Sequence, residues 1–139
     1  AHAYTQHRTP SATLRLSVRP QDSKEGITQS EMRREAPKLS KKELLEMVSP
    51  TISETKRAMT NIEGIRSVKF IDARVEQSKH LTCLLTEFES NADYGISLVQ
   101  VYVCPAGDKS IKLTTSYRKS EAPMFKPILK YVWNSLRVR

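Results

Sequence analysis

The stretch ISLVQVYVC, residues 96–104, decides the reading of the fold. It is apolar nearly throughout, rich in β-branched residues, and too short for a buried helix. Such a run predicts a central strand covered on both faces. Turn formers bracket it, Ser90-Asn91-Ala92-Asp93 before and Pro105-Ala106-Gly107-Asp108 after. Beyond the second turn, residues 110–117 (SIKLTTSY) alternate, with Ile111, Leu113 and Thr115 set against Lys112, Thr114 and Ser116. Before the first turn, His80 to Glu89 (HLTCLLTEFE) reads as another strand, and Val68 to Val75 also runs with period two. Consecutive strands joined by short turns predict an antiparallel sheet.

Upstream, Leu14, Leu16 and Val18 alternate with Arg15 and Ser17, the pattern of a half-buried strand closed by Pro20. Residues 20–39 are polar with scattered turn formers and read as a long surface connection. Ser40 and Glu43 form a capping box, in which the hydroxyl and the carboxylate each satisfy a free amide of the first turn. Leu44, Leu45, Met47, Val48, Ile52, Thr55, Met59 and Ile62 then continue an apolar helical stripe. The prediction is a helix over 41–60, kinked or broken at Ser49-Pro50 because proline lacks the amide, with Gly64 ending the region. A second helix is expected from Glu121 to about Leu136, capped by Ser120, with Pro123 in the first turn. Pro127 implies a later start or a bend. Phe125, Ile128, Leu129, Val132 and Leu136 form its apolar stripe and the natural cover for residues 96–104. Residues 1–12 lack periodicity and read as a flexible arm, leaving 13–139 as a single α+β domain.

Composition narrows the function classes. The chain has 139 residues, with 23 Lys and Arg against 15 Asp and Glu, for a net charge of +8. That length suits one core. No apolar run approaches the ~20 residues of a membrane-spanning helix. The basic excess sits at the two ends: residues 1–60 carry +4, residues 61–104 carry −2 and residues 105–139 carry +6. It is the mark of an anionic partner or simply of a solvated basic surface.

The last hairpin and helix carry a family likeness. Val101-Tyr102-Val103, the turn with Gly107-Asp108-Lys109, the strand Ile111-Lys112-Leu113-Thr114, then Phe125-Lys126-Pro127-Ile128-Leu129 and Val132-Trp133-Asn134-Ser135-Leu136-Arg137-Val138 resemble the PsbP/Mog/DcrB superfamily. The resemblance covers residues 80–138 well and is coarse before them. It implies an antiparallel sheet flanked by helices, with the C-terminal helix packed on the sheet. It also implies accessory binding or assembly work rather than catalysis. One departure is plain: the aromatic F-x-[IV]-x-x-P-x-x-W opening hairpin of the family has no counterpart in residues 1–20.

Catalytic chemistry finds little support in the residues. His2 and His7 fall in the arm, and His80 opens a strand. His2 with the α-amine is a conceivable Cu(II) ligand pair, but no further ligands cluster with it, so no metal or cofactor is expected. Glu87 and Glu89 share a strand face, as solvated pairs commonly do. No phosphate-binding glycine loop or nucleophile elbow occurs. Cys83 and Cys104 lie on neighbouring strands of one expected hairpin. A one-residue change of register separates a disulfide from two buried thiols.

The expectation is a non-enzymatic binding or assembly accessory protein of the periplasm or cell envelope, or secreted. Ala1-His2-Ala3 reads as an end left by signal removal. A basic binder of nucleic acid or anionic membrane is the alternative, and a small hydrolase with an unrecognised site is the remotest. On a helical wheel Lys126, Lys130 and Arg137 fall on one stripe with Trp133 at its border. These four residues form the candidate contact patch for a protein or envelope component with an acidic surface. The other reading of Trp133 is that it closes the edge of the core.

Overall fold

A computed structural model of the protein describes residues 12–20 and 26–137. Five strands, β1 (Ala12–Pro20), β2 (Ile65–Gln77), β3 (Thr82–Ala92), β4 (Gly95–Ala106) and β5 (Lys109–Arg118), form one sheet in the order β1-β5-β4-β3-β2. All four pairings are antiparallel. Strands β2 to β5 form a continuous meander, and β1 closes the far edge against β5. The stretch 96–104 lies in β4, the middle strand. The predicted arm falls outside the described residues, apart from Ala12, which opens β1.

The helices are α1 (Gln29–Glu35), α2 (Lys41–Thr60) and α3 (Ala122–Ser135), with a 3-10 turn over Ala36–Lys38 and another over Lys119–Glu121. α1 corrects the expected loop over residues 20–39. Thr28 accepts from the Glu31 amide while the Glu31 carboxylate accepts from the Thr28 amide. Met32 and Ala36 are buried against α2 and β2. Gln29 fixes the element to the sheet: its amide nitrogen donates to the Thr82 and Pro105 carbonyls at 3.0 and 2.6 Å, and its oxygen accepts from the Thr82 amide at 2.8 Å. The side chain thus satisfies strand groups near the β3 and β4 ends.

α2 begins on the Ser40–Glu43 capping box and runs through Pro50 without a break. Its Leu44 and Val48 pack with Ala73 and Leu84, while Ile52 and Met59 reach Phe88, Val99 and Val101. One sheet face is therefore closed by α1 and α2. The other carries Leu85, Tyr102, Leu113 and Ile111, and α3 lies over part of it.

Turns shift by two or three residues from their expected places. Ser90 and Ala92 remain in β3, and Asp93-Tyr94 makes the turn; Pro105 and Ala106 remain in β4, and Gly107-Asp108 turns. Gly107 has φ +74°, a conformation that penalises any Cβ, and its amide donates to the Ile27 carbonyl at 2.9 Å. Ser120 is not the cap of α3. It lies in the 3-10 turn, Glu121 precedes the helix without a side-chain cap, and Pro127 sits inside the helix.

Two burial expectations are overturned. Leu14, Leu16 and Val18 are on one face of β1, but all three are exposed, because β1 is the edge strand that α3 does not reach across to cover. In α3, Ile128 is 55% exposed and Trp133 is the buried residue at 7%. Phe125, Leu129 and Val132 are half-buried. The wheel was rotated toward Trp133, which packs with the Cys83 and Cys104 region of the core.

Candidate functional site

The register aligns a row of polar side chains across the face that α3 overlies. Asp72, Glu87, Gln100 and Thr115 stand opposite one another on β2, β3, β4 and β5. Period two puts Glu87, Gln100 and Thr115 on that face, and hydrogen bonds join these three, while Asp72 bonds to Lys41 of α2. The Thr115 hydroxyl donates to the Gln100 oxygen at 3.1 Å, and the Gln100 nitrogen donates to Glu87 at 3.1 Å. Arg74 donates to Glu87 through Nη1 and to Glu76 through Nε at 2.7 Å. Burial opposes the Arg74 charge, but the hydrogen bonds of Glu76 and Glu87 prevail and its pKa is raised.

α3 forms the facing wall. Lys126, Leu129, Lys130, Trp133 and Asn134 line a groove of about 430 Å³ with Arg74, Glu76, Glu87, Gln100, Tyr102 and Tyr117. Trp133 stacks on Tyr102, with ring centroids 4.5 Å apart. Burial pushes the Tyr102 phenol up to about 12. Burial, then the Glu87 charge, also raises Tyr117. Among the described residues, Lys126 and Lys130 make no ion pair.

Three of the four contact-patch residues therefore meet at this groove: Lys126, Lys130 and Trp133. Arg137 does not join them. The helix ends at Ser135, Leu136 is extended, and Arg137 borders a separate cavity with Leu16, Val18, Ile111 and Leu136. Sequence reasoning missed Arg74, Glu87, Gln100 and Tyr117 as one cluster, since only the register assembles them.

The other candidate groups are engaged elsewhere. Glu89 pairs with Lys119 at 3.3 Å, so it and Glu87 do not act as a pair. Cys83 and Cys104 are joined in a disulfide with Cα atoms 4.3 Å apart. They extend the β3–β4 register by one pair, at the close spacing of a non-hydrogen-bonded position. His80 precedes β3, and burial followed by nearby cations lowers its pKa. His2 and His7 lie outside the described residues. Among the described residues no three His, Cys, Asp or Glu side chains cluster as a metal site, and no helix is long and apolar enough to cross a membrane.

The arrangement of the sheet and helices has solved counterparts. The solution structure of cyanobacterial PsbP (CyanoP) from Synechocystis sp. PCC 6803 superposes with a TM-score of 0.58 at 12% identity, covering 93% of this chain and 68% of that one. The fold is PsbP-like. A crystal structure of PA94 from Pseudomonas aeruginosa, a protein of unknown function described as a putative regulator, superposes at 0.50 with 10% identity, over 94% of this chain and 86% of that one. No family model matches the chain, and no curated protein matches its sequence. The PsbP-like chain keeps the meander and the C-terminal helix, while its β1 pairs with β5 and forms no opening hairpin among the described residues.

Proposed function

We propose that this PsbP-like protein is a non-enzymatic accessory protein of an oxidising, exported compartment, and that α3 docks it on a protein with an acidic surface. The observation that carries the reading is the outer surface of α3. Met124, Ile128 and Tyr131, spaced as one helical row, are 57%, 55% and 74% exposed. Lys126 and Lys130, also exposed, stand on the opposite flank of the helix, at the mouth of the groove, without ion partners among the described residues. An apolar row on one flank of α3 and unpaired cations on the other suit a partner that straddles the helix, an apolar patch meeting the row and carboxylates meeting the lysines. Arg137 and the exposed Leu16 and Val18 extend the surface past the end of α3. The Cys83–Cys104 bridge supports the exported compartment, since disulfides persist where thiols are not kept reduced. The engagement of Glu87 and Glu89 in separate ion pairs supports a non-catalytic role.

The test is charge reversal, Lys126→Glu with Lys130→Glu, in a pull-down with the full-length protein. The expected outcome is an unchanged melting temperature, because exposed charges contribute little to stability, with a sharp fall in partner recovery. Recovery equal to wild type refutes the docking face. Steeply salt-dependent binding to random oligonucleotides or anionic vesicles, with no protein captured, moves the assignment to a nucleic-acid or membrane binder.

A further inference from the structure

On the sheet side of the α3 groove, Arg74, Glu76, Glu87 and Gln100 are joined by hydrogen bonds, and the Tyr117 hydroxyl stands outside that network. Among the described residues the buried Tyr117 hydroxyl has no hydrogen-bond partner, in a side chain 1% exposed. Burying a hydroxyl without a partner is unfavourable, because its hydrogen bonds to water are lost and not replaced. Tyr117 lines the groove, as do Lys126 and Lys130 on the facing helix. Arg74 bridges both groove carboxylates, Glu76 and Glu87, and offsets one of their two charges, while Gln100 donates to Glu87. With Lys126 and Lys130 the lining holds three cations, Arg74 included, against the two carboxylates, and the excess positive charge lies on the helix side, where it attracts an anion. Leu98, Leu129 and the Trp133 ring supply apolar walls. The volume, about 430 Å³, lies toward the lower end for small-molecule sites.

We infer that this groove binds a small amphipathic carboxylate, its acid group held by Lys126 and Lys130 and its apolar body lying along Leu129 and Trp133. An oxygen of the same ligand accepts the Tyr117 proton. This assignment shares Lys126 and Lys130 with the protein-docking reading but makes no use of the outward row Met124, Ile128 and Tyr131, on which that reading also depends.

Trp133 is the one tryptophan of the chain, so its fluorescence reports the groove. The probe is 3-phenylpropionate, titrated into the full chain at low salt, with its primary amide as the uncharged control. A saturable change is expected, with the amide at least about tenfold weaker, a difference of ~1.4 kcal/mol. Lys126→Gln with Lys130→Gln should weaken the carboxylate by a similar factor. Tyr117→Phe should weaken it several-fold while keeping or raising the melting temperature, because it removes an unpartnered hydroxyl. Met124→Ser with Ile128→Ser should leave the titration unchanged while lowering partner recovery, which separates this site from the docking face. A non-saturable signal, equal binding of the amide, or wild-type binding by folded Tyr117→Phe overturns the assignment. The lysine variant keeps the test decisive if Tyr117→Phe does not fold, and its wild-type affinity equally overturns it.

Discussion

Trp133 lies nearly flat on Tyr102, with ring centroids 4.5 Å apart and planes 23° from parallel. This stack is the main attachment of α3 to the sheet, since Trp133 is the buried residue of the helix. A ranking follows for alanine substitutions. Trp133→Ala should cost about 3–5 kcal/mol. Leu129→Ala, half-buried, should fall below the ~2–5 kcal/mol of a fully buried truncation. Ile128→Ala, exposed, should lie within about 0.5 kcal/mol of wild type. Urea denaturation of the three variants checks the order, and equal losses at Ile128 and Trp133 would reject the observed rotation of α3.

The Tyr102 phenol gives stability a dependence on alkaline pH. Burial raises its pKa to about 12, above the ~10 of an unfolded tyrosine. The folded state therefore holds its proton where the unfolded state has released it. The contribution is fully present below about pH 10 and is lost as pH rises through about 12. Denaturation midpoints of wild type and Tyr102→Phe, measured from pH 8 to 11.5, should fall more steeply for wild type. Parallel curves contradict the assignment.

The Cys83–Cys104 bridge closes a loop with a sequence separation of 21. Chain-entropy reasoning gives about 3 kcal/mol for a loop of that size. Intact mass after alkylation, with and without reductant, should differ, and reduction should lower the melting temperature. Identical masses would mean two free thiols.

Gln29 reaches both strand ends from α1 through three hydrogen bonds. Gln29→Ala should cost about 1–3 kcal/mol by stripping partners from part-buried strand groups. Thr28→Ala should cost about 1 kcal/mol through the lost cap. Amide exchange at Thr82 should accelerate strongly in the first variant and little in the second. Similar exchange in both would show that the Gln29 bonds do not hold the strand.

The sheet was legible because period two and turn chemistry agree over Ile96–Cys104 and Ser110–Tyr117. α2 was legible because Ser40 and Glu43 start a long stripe. α1 carries the same capping signal at Thr28 and Glu31, yet its two turns bury only Met32 within the helix, too few apolar positions to display a period. In α3, no glycine marks the end, so the wheel ran on to Arg137. The exposure of Ile128 and of the β1 leucines depends on how far a helix reaches across the sheet, which local pattern does not encode. In the groove, Lys126 and Lys130 are neighbours by helical spacing alone. Arg74, Glu87, Gln100 and Tyr117 come together only through strand register, including an irregularity between Phe70 and Asp72.

β1 joins the sheet solely along β5, its partner from the opposite end of the described chain. The order of synthesis is therefore the reverse of the order in which this edge can be completed. During translation the segment from Ala12 to Pro20 emerges before its partner and waits, its backbone hydrogen-bonding groups unpaired, until Lys109–Arg118 has followed. A polypeptide that stops before residue 109 never supplies that neighbour. Every such truncated product leaves the backbone amides and carbonyls of Ala12–Pro20 without the ladder that β5 supplies in the complete sheet.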